Sequence, residues 1–405
     1  MDWLKLAFIS REYPPLSQDY PSYAQNYATV MNFPGIAEAL VKRGHEIHVI
    51  SEGRAEVPSR GVVIHRVCAM RNGGGPLGRL EFDLRAVGTL KTLVKTVGIQ
   101  AVNTQVTFGD GFLPSVTRIC PVVLYAYATS DMFLMTRTFS SLHDEAYFLV
   151  SRFAEDVSMN KASAVVSESS FMTEFLTNKK RVPIRKVITV LPSRFDLGKW
   201  TSTPSDIRNR LGIREDEILF LCVASLQPRK GIDVLVRSFG AIAGTYPTSR
   251  LVLIGSDSPT SPSGGSFKSY LVGLARELNV EHRILFVESH LPDVDLVRLY
   301  SSADVFVFPS LWEVVGYPIL EALLAGGRVV ATATGIVPDL LKMGVDIRVV
   351  EPSDANGLAN AMKEALVNAG QHAGFDRRAL LQRNFSFVRL IDSIESVNKR
   401  VIRSG

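Results

Sequence analysis

Short apolar runs separated by longer stretches of helical periodicity recur along this whole chain, and that alternation limits the fold more than any other feature. Strand and helix in regular succession favour an α/β architecture with mainly parallel sheets, because a parallel neighbour is reached only through a crossover. The strand candidates of the first half are residues 4–10, 46–51, 61–67, 100–106, 121–128, 163–169 and 186–191, with helices such as 80–97 and 143–161 between them. The second half repeats the rhythm at 217–225, 250–256, 283–289, 304–310, 328–333 and 346–351. Residues 192–216 carry neither a strand nor a long apolar face and read as a linker, and the tail from about 373 is helical and amphipathic, able to pack back on the first half.

A chain of 405 residues, 46% hydrophobic and 21% charged, has material for two cores. Its formal net charge of +5 is a mild excess that admits anionic ligands without demanding nucleic acid, and no nucleic-acid partner is expected. Cys68, Cys120 and Cys222 stand far apart, with no metal-knuckle, redox-pair or disulfide spacing, which suits a reducing compartment. The opening "MDWLKLAFIS" carries Asp2 and Lys5 and reads as a first strand rather than a signal peptide, and no charge-free apolar run approaches the ~18 residues of a membrane span. The expected location is the cytoplasm, peripherally at the inner membrane face.

Several motifs offer chemistry that their context withholds. "GGGPLG" at 73–78 matches a dinucleotide fingerprint through Gly73, Gly75 and Gly78, but no carboxylate follows between Asp83 and Asp110 to hold a ribose, so it reads as a flexible connection. "PDVDL" at 292–296 could bind a metal, yet it opens a helical stretch; Asp293 reads as its N-cap and Asp295 as a complement to the helix dipole, and no metal site is expected. The run Lys179, Lys180, Arg181, Arg185, Lys186 reads as a solvated loop, with weak contact to anionic lipid as the functional alternative. "TSPSGGS" at 260–266 reads as a mobile loop. Neither a G-x-S-x-G elbow nor a P-loop is present.

The stretch "SLWEVVGYPILEALLAGG", 310–327, holds two carboxylates eight residues apart and no other charge. Gly316 and Pro318 interrupt a continuous helix, and proline suits a first helical position, so a helix is expected from about 318 with Glu313 on the loop ahead and Glu321 in the first turn. That sets two hydroxyl-accepting carboxylates and a helix N-terminus at the carboxyl end of a parallel strand, where α/β sheets bind ligands. Sugar plus phosphate fits such a crevice. In "VASLQPRKGIDVLVRSF", 223–239, Arg229 and Lys230 precede another helix start; they are either a second anion subsite or solvated charge.

Here the chain resembles the retaining glycosyltransferases of family 4, through "VASLQPRKGIDVLVRSF", "LVLIGS" and the run from "LPDVDLVRLYSSADVFVFPS" to "GIVPDLL", with a looser match at "SREYPP" and "KRGHEIHVIS". The resemblance implies a GT-B fold: two Rossmann-like domains facing each other across a cleft, an acceptor-side domain at 1–195, a nucleotide-sugar domain at 196–375 and a helix at 376–405 returning to the first. It implies hexosyl transfer from a nucleotide-sugar to an unidentified acceptor, retaining the anomeric configuration, with no cofactor and no metal. It further implies Glu313 and Lys230 as catalytic groups within the E-x7-E site, the donor being held by Ser225, Arg229, Lys230, Ser289, His290, Leu291, Glu313, Val315, Gly316, Tyr317, Pro318 and Glu321. Acceptor-side candidates are Asp110, Gly111, Tyr127 and His143.

The chain departs from that family at Ser225, where an arginine is usual, and in "LSQDYPSYAQNY", which lacks the usual glycine-rich loop; Tyr125 and Tyr127 stand where a histidine is common, and Ser193 and Arg194 replace an Asn-Gly pair. An epimerase or hydrolase of the same fold, or a transferase-like binding protein without turnover, are the alternatives.

Overall fold

The structure is a computed structural model that describes residues 3–404 apart from 12, 14–27, 54–59, 68–75, 107–110, 140, 194–205, 263, 289–290 and 368–375. Gly73, Gly75, Asp110, Arg194, Ser289, His290 and the "LSQDYPSYAQNY" stretch therefore lie outside the described residues. The strands are β1 (Lys5–Ile9), β2 (Glu46–Glu52), β3 (Val63–Val67), β4 (Ala101–Gln105), β5 (Val122–Tyr125), β6 (Ala164–Ser167) and β7 (Val187–Thr189), then β8 (Ile218–Val223), β9 (Ser249–Ile254), β10 (Ile284–Val287), β11 (Val305–Phe308), β12 (Val329–Thr332) and β13 (Arg348–Val350). They form a seven-stranded sheet of order β3-β2-β1-β4-β5-β6-β7 and a six-stranded sheet of order β10-β9-β8-β11-β12-β13. Every pairing is parallel. Strand order reverses at β1/β4 in the first sheet and at β8/β11 in the second, and such switch points open a crevice at the carboxyl ends of the strands.

Helices on both faces explain why strands such as β8, "ILFLCV", are apolar throughout rather than alternating. β4, "AVNTQ", departs from this, being polar yet wholly buried. Its Asn103 exchanges side-chain hydrogen bonds of 3.0 and 3.1 Å with Asn398 and accepts one of 3.0 Å from the Tyr125 hydroxyl. Asn398 lies on the last helix, Phe387–Ser404, which lays Leu390, Ile391, Ile394, Val397 and Val401 into the core of the first sheet. Each such side chain stabilises the docking by about 1.5–3 kcal/mol when fully buried. Arg43 fixes the rim of this helix through Asp392 at 2.7 Å and Glu395 at 3.0 Å.

Some local expectations need correction. Pro292, not Asp293, is the N-cap of the helix Asp293–Ser302, so Asp293 is its first residue. Asp295 does more than complement the dipole: it receives both ends of the Arg210 guanidinium, at 2.9 and 3.0 Å, tying the short helix Ile207–Arg210 at the end of the expected linker to the second sheet's helices. In the low-complexity stretch the Ser261 amide donates to the Gly265 carbonyl at 3.1 Å, the Gly264 amide donates to the Ser261 carbonyl at 2.9 Å, and Ser266 caps the next helix. Gly78 lies inside a helix that begins at Pro76, so it forms no phosphate turn. Lys180 does not face solvent; its ammonium is paired with Asp131 and Asp156, and its side chain is 5% exposed. No helix among the described residues is long and apolar enough to cross a membrane.

The buried asparagine pair makes a measurable demand on stability. Asn398→Ala strands the Asn103 amide, and urea denaturation should show a loss of about 1–3 kcal/mol, well beyond that of a surface substitution such as Arg403→Ala on the same helix.

Candidate active site

Three strand-to-helix loops of the second sheet converge at its switch point. The first leaves β8 through Ser225 and Leu226, makes a single turn of 3-10 helix at Pro228–Lys230, and enters the helix Ile232–Ala243 through Gly231. Gly231 has φ +60°, and a Cβ there would lie 2.1 Å from the Pro309 carbonyl oxygen, so only glycine lets this loop seat against the loop after β11. The Leu311 amide donates to the Arg229 carbonyl at 2.9 Å and joins the two. The second loop ends at Gly316, whose φ of +88° is the N-cap of the helix Tyr317–Leu324. The third, after β12, is pinned by the Ile336 amide donating to the Val315 carbonyl at 2.8 Å.

This convergence brings Glu313, Arg229 and Lys230 together. Glu313 Oε2 accepts from Arg229 Nη1 at 2.9 Å and from Lys230 Nζ, while Oε1 accepts from the Val314 amide at 3.2 Å. All three side chains are nearly buried, at 13%, 11% and 14% exposure. Burial alone would raise the Glu313 carboxyl, but Arg229, Lys230 and the Val314 amide outweigh it and hold the pKa at about 2. The Lys230 ammonium is also lowered, first by burial and then by Arg229, with Glu313 opposing. Two cations against one carboxylate leave one excess positive charge in a nearly buried cluster beside the N-terminus of a twelve-residue helix. Such an arrangement can receive an anion. Among the described residues no group of three His, Cys, Asp or Glu side chains could hold a metal ion.

The remaining donor-side residues divide. Ser225 accepts from the Gln227 amide at 2.5 Å, at the mouth of the first loop. Val315 is buried, Tyr317 and Pro318 are the first residues of their helix, and Leu291 packs partly buried against the core. Glu321 falls one residue beyond the expected first turn, because the helix starts at Tyr317 rather than 318; it is 3% exposed and accepts from the Tyr300 hydroxyl at 2.9 Å.

On the acceptor side, Tyr127 is a core residue rather than a cleft residue. It is 6% exposed, with its ring 6.1 Å from Phe33 and 5.6 Å from Tyr125, because strand-end aromatics here fill the layer under a helix. Gly111 is a packing glycine: a Cβ would meet Leu124 at 2.4 Å and the Gln105 carbonyl at 2.9 Å. His143 stands exposed in the first turn of the helix Leu142–Lys161.

Sequence reasoning missed the residues through which the first half meets the site. Trp312, beside Glu313, is buried between Phe171 and Phe175, whose rings lie edge-on at 5.6 and 5.4 Å. Ser169 donates to the Val314 carbonyl at 2.6 Å, the Ser170 amide donates to Asp339 at 2.8 Å, and the Arg229 amide donates to Thr138 Oγ1 at 3.2 Å. These partners are 145, 169 and 91 positions apart in the chain, and no local pattern marks them. Glu168 precedes Ser169 at the carboxyl end of β6; it is 7% exposed, and burial pushes its carboxyl up to about 8.

Comparison with known proteins finds relatives of this chain and of its fold. The family described as glycosyl transferases group 1 matches residues 205–381, and Glycosyltransferase Family 4 matches residues 35–197. An uncharacterized glycosyltransferase of Methanocaldococcus jannaschii is 26% identical over 384 residues, covering 91% of this chain and 90% of its own. A D-inositol 3-phosphate glycosyltransferase of Actinosynnema mirum is 30% identical over 244 residues, 59% of this chain and 58% of its own length. Among solved structures, a sucrose-phosphate synthase from Thermosynechococcus elongatus superposes with a TM-score of 0.72 at 21% identity, over 99% of this chain and 100% of that one. Anabaena HepE in complex with UDP and glucose gives 0.67 at 18% identity, over 98% and 100%.

Glu168 supplies a pH signature. Its folded pKa of about 8 lies above the unfolded 4.5, so the folded chain holds a proton that the unfolded chain releases; the stability this contributes is full below about 4.5 and is lost as pH rises through about 8. Glu168→Gln should therefore gain stability relative to the parent progressively from about pH 5 to pH 9 in urea melts, levelling above that; a pH-independent difference would contradict the buried neutral carboxyl.

Proposed function

Because this chain belongs to the family 4 glycosyltransferases, enzymes of the GT-B fold, we propose that it moves a hexose from a nucleotide-sugar to an acceptor hydroxyl, with retention at the anomeric carbon and without a metal ion. The observation that carries this reading is the Glu313–Arg229–Lys230 cluster at the β8/β11 switch point, with its surplus positive charge. A nucleoside diphosphate leaving group develops negative charge as the glycosidic bond breaks. Fixed cations and helix N–H groups in a water-poor pocket stabilise that charge without reorganising. Arg229 and Lys230 thus do the work that a divalent ion does elsewhere, and Arg229 stands in for the cation absent at Ser225.

Glu313 has a second task. Its Oε2 is committed to the two cations, but among the described residues Oε1 accepts only from the Val314 amide, which leaves a lone pair for a sugar hydroxyl. Glu321, oriented by Tyr300, is the group we assign to the nucleotide ribose. Val315, Gly316, Tyr317 and Pro318 bring the start of their helix toward the donor. The docking of Trp312 between two phenylalanines of the first half keeps water from the Glu313 loop on that side.

The chain incubated with UDP-, GDP- and ADP-hexoses should release free nucleoside diphosphate from at least one of them, at a rate unchanged by a chelator. Lys230→Ala should lower kcat by about 100-fold or more, because it removes charge that matters most as the leaving group departs. Near-normal kcat in that variant refutes the phosphate assignment. Glu321→Gln should chiefly raise the donor KM, leaving kcat within a few-fold; an unmoved KM would take Glu321 out of the ribose role.

A further inference from the structure

The helix Leu142–Lys161 carries an apolar stripe on its outward side. Its buried residues are Ser151, Glu155, Ser158 and Met159, and Glu155 is fully buried, accepting from the Ser130 amide and hydroxyl at 2.9 and 2.8 Å. Its outward face carries Leu142, Leu149, Val150 and Phe153, exposed by 83%, 46%, 71% and 69%. At about 100° per residue these four fall within roughly one quarter of the helix circumference, opposite the three buried polar residues. A contiguous apolar patch left in water marks a surface that meets a partner.

Cations gather at the carboxyl end of the same face. Arg118 ends the short helix Phe112–Thr117, which packs against this one, and Arg185 and Lys186 lie on the segment beside Lys161, where Lys186 Nζ donates to the Asn160 carbonyl at 2.7 Å. Burial and then the charges of Arg185, Arg118 and Lys161 depress the Lys186 ammonium. Among the described residues none of the four has a carboxylate within ion-pair reach. Ile184, 68% exposed, continues the apolar surface among them.

We propose that this face docks the protein on an anionic lipid bilayer, with Leu149, Val150 and Phe153 entering the headgroup boundary and Arg118, Lys161, Arg185 and Lys186 meeting lipid phosphates. An apolar stripe flanked by cations is what such an interface selects. A second copy of this chain would bring more of the same positive charge; an anionic surface relieves the repulsion. The contact site is thus this helix and its neighbours rather than the whole basic run, since Lys180 is consumed in ion pairs with Asp131 and Asp156.

The test is sedimentation of the full chain with vesicles of phosphatidylcholine, with and without phosphatidylglycerol. The protein should bind the anionic vesicles and bind neutral ones weakly. The double substitution Val150→Asp and Phe153→Asp should weaken the anionic partition at least about tenfold while leaving nucleotide release from a soluble donor intact without vesicles. Should those aspartates disturb the fold, Phe153→Trp serves alone: its emission should shift to the blue with anionic vesicles and be quenched by brominated lipid. Absence of vesicle binding, or unchanged binding by the double variant, overturns the proposal. So does a Phe153→Trp spectrum blind to lipid, or a dimer in sedimentation velocity that the aspartates dissolve, because a second copy would then cover the face. None of these outcomes bears on whether the donor is turned over, so the two proposals fail separately.

Discussion

A carboxylate between two cations, nearly out of water, is the constraint around which this molecule is arranged. Glu313 could not remain ionised where it is without Arg229 and Lys230, and neither cation would tolerate the site without Glu313. Removing one partner from such a group typically costs about 3–5 kcal/mol, because the others stay buried and unpaired. The backbone serves this cluster: Gly231 is where side chains are forbidden so that the loop after β8 can lie on the loop after β11, and the Leu311 amide closes the seam. A stability optimum would pair the charges evenly. The unequal count is the feature on which the proposed binding of an anion rests.

The strands were legible because parallel sheets covered on both faces leave an unmistakable trace, runs such as "ILFLCV" and "LVLI" bounded by turns. Even the polar β4 could be placed, though nothing in "AVNTQ" announces that Asn103 waits for an asparagine 295 positions later. Glu313 and the Arg-Lys pair were legible as candidates because unpaired charge in an apolar neighbourhood demands a partner, and the structure joins them directly. Glu321 sits one residue deeper in its helix than the sequence suggests, since Pro318 takes the second helical position and not the first. Tyr127 and Lys180 were misjudged for one reason: a strand-end aromatic or a lysine in a basic run looks the same whether it faces solvent or a partner supplied by a distant helix. Long-range pairing is where local pattern stops informing.

The two halves do not simply face one another. Trp312 and Val314, on either side of Glu313, are held by Phe171, Phe175 and Ser169, which belong to the segment after β6. The apolar core is continuous across this contact, through Met172, Phe175, Trp312, Val314 and Leu340. The carboxylate loop therefore takes its position from both sheets, and its charge environment is sensitive to how they are packed.

The return of the last helix to the first sheet gives the chain a mechanical property. Polypeptide passes from the first sheet to the second near residue 206 and comes back before Phe387, so two covalent tethers, not one, span the halves. A single tether would let them swivel freely about it. A pair of tethers leaves bending about the line that joins them as the soft direction and resists torsion, so any opening of the molecule follows the path of a door rather than of a joint.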